Sequence, residues 1–377
     1  MGSTLIVTND FPPRQGGIET FVHAMAVRLA EEGVVVLTSA EPGAAEFDAG
    51  LPFPVVREPV RTLLPTARTA RRAVGLLAEH GCDRVWFGAA APLAALAPVL
   101  RRAGAGRLVA TTHGHEVWWA RAPLARRLLR RVGAHCDAVT HLGEFTRRRI
   151  APALGPGAVT ARLVPGVDPA VFRPSAVDRR AVRERYGLGS RPVVLCVARL
   201  VPRKGQDALL RAVPLIRRRV PDAVLLLVGS GPDERRLRRL ARRCPPGSVV
   251  FAGGHGHADT ARFYAAADVF AMPCRTRRAG LEAEGLGIVF LEAAASGLPV
   301  VAGRSGGAPD AVLPGRTGTV VDGREVVEVA EAVLEFLREP HRAREFGRAG
   351  REWVEREWSW DASARRLAGL LAGGPVD

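Results

Sequence analysis

Residues 4–8, TLIVT, form an apolar and β-branched run without a polar break, the pattern of a strand buried on both faces. The loop NDFPPRQGGIE follows, then an amphipathic period of about 3.6 over 20–31 and a second short strand at 34–37. Strand, glycine loop, helix, strand is the opening of a doubly wound α/β domain. Residues 40–65 are rich in Pro and Gly and read as loop. Helical spacing returns at 66–80, and short strands are expected at 84–87, 108–111 and 138–141. The segment 162–174, RLVPGVDPAVFRP, is broken by prolines, has no helical period, and reads as a linker.

The pattern restarts at Pro192 with VVLCVARL as a strand. Helices are expected at 207–219, 233–243 and 262–267, and strands at 223–228, 249–251, 269–272 and 299–302. From 322 to 371 the chain reads as helical with breaks, and Trp353, Trp358 and Trp360 are expected to pack that tail on the core. The whole is an α/β protein of two doubly wound halves, with a ligand expected where such halves adjoin.

Residues 272–299, MPCRTRRAGLEAEGLGIVFLEAAASGLP, carry the most chemistry. They read as a strand end, a glycine-punctuated loop and a short helix starting near Ile288, stopped by Gly297 and Pro299. Gly285 and Gly287 let the backbone approach a ligand, and the helix start offers unpaired N–H groups to an anion. Glu284 and Glu292 repel an anion but accept hydrogen bonds from hydroxyls beside it. An anion flanked by hydroxyls describes a sugar nucleotide.

Composition sharpens this. The chain has 377 residues and a net charge of +16. The charge is spread over both halves and reads as an Arg-rich solvated surface, with a phosphate-rich partner as the other reading. Of 54 basic residues, Lys204 is the one lysine; Asn9 is the one asparagine; Gln15 and Gln206 are the glutamines. A chain so depleted in these types keeps them where the side chain matters. Arg199 and Lys204 flank the start of a predicted helix at a strand's carboxyl end, which suits a diphosphate. The 5 cysteines are scattered, with neither metal-ligand nor disulfide spacing. No apolar run is long enough to span a membrane and no signal peptide opens the chain, so a cytoplasmic setting is expected.

In the first half, Gly16 and Gly17 precede a helix and are flanked by Asn9 and Gln15. His113, in THGHE, follows a strand end, where ligands gather in such sheets. HExxH spacing is absent and no metal is expected. Trp118 and Trp119 lead into a segment where Arg126, Arg127, Arg130 and Arg131 interleave with leucines, and 66–80 carries Arg68, Arg71 and Arg72. Basic amphipathic helices beside tryptophans suit an anionic membrane surface; an ordinary surface helix is the other reading.

The pieces NDFPPRQGGIE, THGHE, RLVPRKGQD and the acid pair EGLGIVFLE resemble the retaining GT-B glycosyltransferases of family four. Residues 272–312, with WSW near the end, look like the actinobacterial branch that moves mannose from GDP-mannose to phosphatidylinositol mannosides. The resemblance implies two Rossmann-like domains facing across a cleft: acceptor on 1–168, donor on 169–358, and a last helix, 359–377, crossing back to the first. It implies retention, no metal and no cofactor, with the nucleotide sugar as co-substrate. By the same resemblance, Arg199 and Lys204 hold the diphosphate, with Arg275, Gly285, Leu286, Gly287 and Ile288 lining the donor. Glu284 holds sugar hydroxyls and Glu292 the ribose. Gly16 and Gly17 approach the diphosphate, and His113 contacts the transferred sugar. Asn9, Asp10 and Gln15 are the acceptor candidates. Ala283 stands where a bulkier aliphatic is expected, which bears on sugar selectivity.

A lipid acceptor at the inner membrane face is expected, with no nucleic-acid partner. A UDP-sugar donor or a soluble acceptor such as an inositol phosphate is the alternative within transferases. A sugar-nucleotide epimerase and a basic nucleic-acid binder are the alternatives outside them, and the chain carries no nucleic-acid reading module.

Overall fold

The computed structural model describes residues 2–14, 16–114, 116–280 and 282–374; Gln15, an expected acceptor contact, lies outside them. The chain forms two compact units, Met1–Gly166 with Trp360–Asp377, and Val167–Ser359.

The first unit is built on a seven-stranded sheet in the order β3-β2-β1-β4-β5-β6-β7. Its strands are β1 (Ser3–Val7), β2 (Val34–Ser39), β3 (Val55–Glu58), β4 (Cys82–Phe87), β5 (Arg107–Thr111), β6 (Ala138–His141) and β7 (Thr160–Arg162). All pairings are parallel, with Thr4 opposite Val34 and Leu5 opposite Val85. Parallel strands need helical crossovers on both faces, which is why β1 reads as a continuous apolar run. One face packs Leu5, Val7 and Phe87 against Ala73, Leu76, Leu129 and Val132; the other packs Ile6, Trp86 and Val109 against Phe21, Met25, Leu367 and Leu370. The C-terminal helix Trp360–Leu371 is therefore part of this unit's core.

The second unit has a six-stranded parallel sheet, β10-β9-β8-β11-β12-β13. These are β8 (Val193–Val197), β9 (Val224–Val228), β10 (Val249–Gly253), β11 (Val269–Met272), β12 (Val300–Gly303) and β13 (Gly318–Val321). The strand order reverses between β8 and β11, and the helices Gln206–Arg219 and Ile288–Ala295 begin after the carboxyl ends of β8 and β11. That is the switch point where ligands bind in such sheets.

Three strands were not expected from the pattern: β3, inside the segment read as loop, β7, and β13. Each lies at a sheet edge. β3 is half-buried at every position, and β7 has three residues. Edge strands are covered on fewer sides, so their sequences carry weaker periodicity. Trp358 is fully buried and Trp353 nearly so, their rings 5.4 Å apart. Among the described residues no helix is long and apolar enough to cross a membrane.

Candidate functional site

In the second unit the chain leaves β8 at Val197 and turns through Arg199 and Lys204 into the helix Gln206–Arg219. Gln206 is buried and its side-chain amide donates to the Arg199 carbonyl at 3.1 Å, fixing that turn. Arg199 itself is exposed. Lys204 Nζ donates to Glu284 Oε2 at 2.6 Å, and Arg203 reaches the same oxygen at 2.9 Å. The Lys204 and Glu284 side chains are 12% and 9% exposed. Two cations thus converge on one nearly buried carboxylate. Arg203 was not expected; its place beside Lys204 in RLVPRKGQD was the available signal.

Glu284 is also held by its backbone. Its amide donates to Ser305 Oγ at 3.2 Å, and its carbonyl accepts from Gly307 at 2.8 Å. Gly306 takes φ +56, and a side chain there would collide with the Glu284 carbonyl. The glycine loop after β12 therefore serves to seat Glu284, a link visible only once β11 and β12 are neighbours. Gly287 caps the helix Ile288–Ala295 at φ +81, and among the described residues no side chain caps its first N–H groups. The Glu284 Cγ lies 3.5 Å from where a Gly287 Cβ would stand. So Lys204, Arg203, Glu284 and the open helix start form one cluster, with Gly285, Leu286 and Ile288 in the same turn.

Arg275 is committed elsewhere: its guanidinium bonds both Asp207 oxygens at 2.7 and 2.9 Å and so ties the end of β11 to the Lys204-bearing helix. Glu292, seven residues along from Gly285, is 1% exposed. Its oxygens are met by His257 Nε2 and the Tyr264 hydroxyl, each at 2.7 Å.

In the first unit, His113 follows β5. Its Nε2 lies 2.7 Å from the Gly88 carbonyl, so that nitrogen carries the proton, and its ring packs edge-on against Phe21 at 5.3 Å. Glu116, fully buried, accepts from the His113 and Gly114 amides at 3.0 and 3.1 Å. Gly16 opens the helix Gly17–Leu29, and a side chain at 16 would strike the Glu19 carboxylate. A side chain at Gly17 would meet nothing within 4 Å among the described residues. Burial raises the Glu19 pKa. Asn9 uses both ends of its amide on Leu63, donating to the carbonyl at 3.0 Å and accepting from the amide at 2.6 Å. That clamp ties the chain's one asparagine to the Leu63 loop; Asn9 and Asp10 are the acceptor candidates among the described residues.

On the helix Pro123–His135, Arg126, Arg127, Arg130 and Arg131 are exposed. Leu124 and Trp118 are 78% and 50% exposed. Arg68 and Arg72, by contrast, are within ion-pair reach of Glu58.

Residues 15–171 match the family model for Glycosyltransferase Family 4, and residues 178–353 that for Glycosyl transferases group 1. The chain is 52% identical over 374 residues to the GDP-mannose-dependent alpha-(1-6)-phosphatidylinositol monomannoside mannosyltransferase of Mycolicibacterium smegmatis, covering 98% of each chain. It is 45% identical to the GDP-mannose-dependent monoacylated alpha-(1-6)-phosphatidylinositol monomannoside mannosyltransferase of Corynebacterium glutamicum, over 99% of this chain and 98% of that one. A crystal structure of Anabaena Alr3699/HepE in complex with UDP superposes with a TM-score of 0.81 at 20% identity, covering 99% of this chain and 100% of that one. That likeness gives the fold, GT-B.

Proposed function

The chain belongs to the family-four glycosyltransferases, and from that premise we propose that it transfers mannose from GDP-mannose to a phosphatidylinositol mannoside-type lipid, with retention. The observation that carries the reading is full-length identity of about half to enzymes named for that reaction, in a chain that also builds the Lys204–Glu284 cluster.

The chemistry follows from charge. Breaking the sugar–phosphate bond leaves a diphosphate whose charge must be met in place. Arg199, Lys204 and the uncapped amides after Gly287 supply fixed positive potential, which stabilises a developing anion most where water is excluded. Glu284 keeps Lys204 and Arg203 in register and offers its remaining lone pairs to sugar hydroxyls. Arg275 acts by holding the β11 end to Asp207. Glu292 serves the ribose side. In the first unit, the open space that the described residues leave at Gly17 supports a close ligand approach there, and the family resemblance assigns His113, its Nε2 engaged with Gly88, to the transferred sugar. The donor charge is met by protein cations and amides, without a metal. The exposed arginines of Pro123–His135, with Leu124 and Trp118, support docking on the anionic inner face of the plasma membrane.

The test is transfer from radiolabelled GDP-mannose to phosphatidylinositol monomannoside in vesicles, read by mass spectrometry. The expected product is a lipid one hexose heavier with an α linkage, and faster turnover on anionic than on neutral vesicles. Labelled product from UDP-glucose, or from free inositol phosphate alone, would replace the donor or the acceptor in this reading.

A further inference from the structure

Glu292 is 2% exposed by its side chain, while His257, bonded to it, is 63% exposed. The surface presented at this point of the second unit is therefore the imidazole, with the carboxylate beneath it. His257 and Tyr264 come from one helix, His257–Ala266, seven residues apart and so on the same face. Phe172 packs on both rings, with centroids 5.4 and 5.7 Å away, and sets the imidazole plane. A carboxylate only accepts, so Nε2 carries the hydrogen. Nδ1 has no hydrogen-bond partner among the described residues. This is an acid-oriented imidazole with one nitrogen engaged and one available.

We propose that His257 is a nucleoside-contacting residue: Glu292 fixes the ring through Nε2, and Nδ1 bonds the ribose or base of the donor. The inference rests on the reading of this unit as the nucleotide-sugar unit and extends it to a residue outside the acid pair. Nδ1 accepts from a hydroxyl when the ring is neutral and donates when it is protonated, so a ribose diol can be bound in either state. The hydrogen bond to Glu292 raises the His257 pKa; Glu292 is the titratable group bonded to the ring, and Tyr264 bonds the other Glu292 oxygen. The signal available in the sequence is the loop AGGHGHA, two histidines among glycines just after the strand at 249–251.

The test compares GDP with inorganic pyrophosphate, which has the phosphates and lacks the nucleoside, by calorimetry on the full chain. For His257→Ala the GDP Kd should rise about tenfold, the scale of one hydrogen bond to a polar ligand, while the pyrophosphate Kd stays within twofold. GDP, and not pyrophosphate, should also shift the His257 imidazole resonances of the wild type. Unchanged GDP affinity, or equal loss for both ligands, overturns the inference. Wild-type protein that fails to bind GDP would instead overturn the functional reading it rests on. The variant also takes one partner from buried Glu292, so a small loss of melting temperature is expected, and the unchanged pyrophosphate affinity is the check that the site stays folded.

Discussion

The two units place loops and helix starts at the carboxyl ends of parallel strands, yet they use polar side chains in opposite ways. In the second unit charge meets charge: Glu284 with Lys204 and Arg203, Asp207 with Arg275, Asp268 with Arg179 and Arg183. In the first, the polar groups by the site hold backbone: Asn9 clamps Leu63, and Glu116 gathers the amides of His113 and Gly114. Arg57 does both, pairing with Asp48 and donating to the Ser39 and Pro12 carbonyls. The difference matches the ligands proposed for each. A diphosphate needs positive potential already in place, and a cation held by a carboxylate can share itself with an incoming anion without moving. The sugar hydroxyls of the acceptor and of the transferred mannose are uncharged and need a shaped wall instead, whatever meets the acceptor's single phosphodiester.

The sharpest way to break this contrast is Lys204→Ala. It removes one of two cations from a nearly buried carboxylate and one from the proposed diphosphate seat. Losing one member of a buried pair costs roughly 3–5 kcal/mol, and the low end applies because Arg203 remains. GDP affinity should fall about a hundredfold, which corresponds to about 3 kcal/mol. Lys204→Arg should not restore it, because a planar fork does not fit where a compact ammonium sits 2.6 Å from one oxygen. Calorimetry with GDP checks both variants. Affinity within threefold of wild type would remove Lys204 from the donor site and leave it a structural partner of Glu284.

Acid should separate the units next. His141, in β6 of the first unit, is 5% exposed, and burial pushes its pKa down to about 4. The folded chain keeps it neutral, while the unfolded chain protonates it below about 6.5. The unfolded state thus binds more protons in that window, and stability falls as pH drops from about 6.5 toward 4. The total is on the order of 3 kcal/mol. His257, in the second unit, is shifted the other way by Glu292: its contribution is complete below the ordinary histidine value and is lost as pH rises through the raised one. Urea melts between pH 7 and pH 4.5 should show the first unit weakening, with the slope reduced in His141→Gln. Equal weakening of both units would show that these two histidines do not set it.

Much of this architecture was readable from the chain. Strands buried on both faces announce themselves, and Glu284, Lys204 and the helix start near Ile288 fall within one cluster, while Glu292 is held apart by His257 and Tyr264. What escaped notice depends on neighbours the sequence does not list. β3, β7 and β13 lie at edges, where burial is partial. Arg203, Ser305 and Gly306 join the site only because β11 lies beside β8 and β12. Asn9 shows the converse. Its rarity was a sign of a specific job, and the fold shows one that the sequence did not: it clamps the Leu63 loop.

Glu116 tests the first unit's side of the contrast with the smallest effect. Its Oε2 accepts two backbone N–H groups in a fully buried turn, so Glu116→Ala leaves both amides without that acceptor. The cost should be about 2 kcal/mol of stability, the scale of buried groups left unsatisfied. His113 would then lose its backbone anchor while keeping its ring bond to Gly88. If this unit shapes the wall for the transferred sugar, kcat should fall by about tenfold, as for a small misplacement, and GDP affinity should not change. Glu116→Gln retains a carbonyl oxygen at the same reach and should recover most of the rate. A charge-based role would instead leave Glu116→Gln as impaired as Glu116→Ala and would weaken GDP binding in both, putting a second electrostatic centre where only loop geometry is claimed.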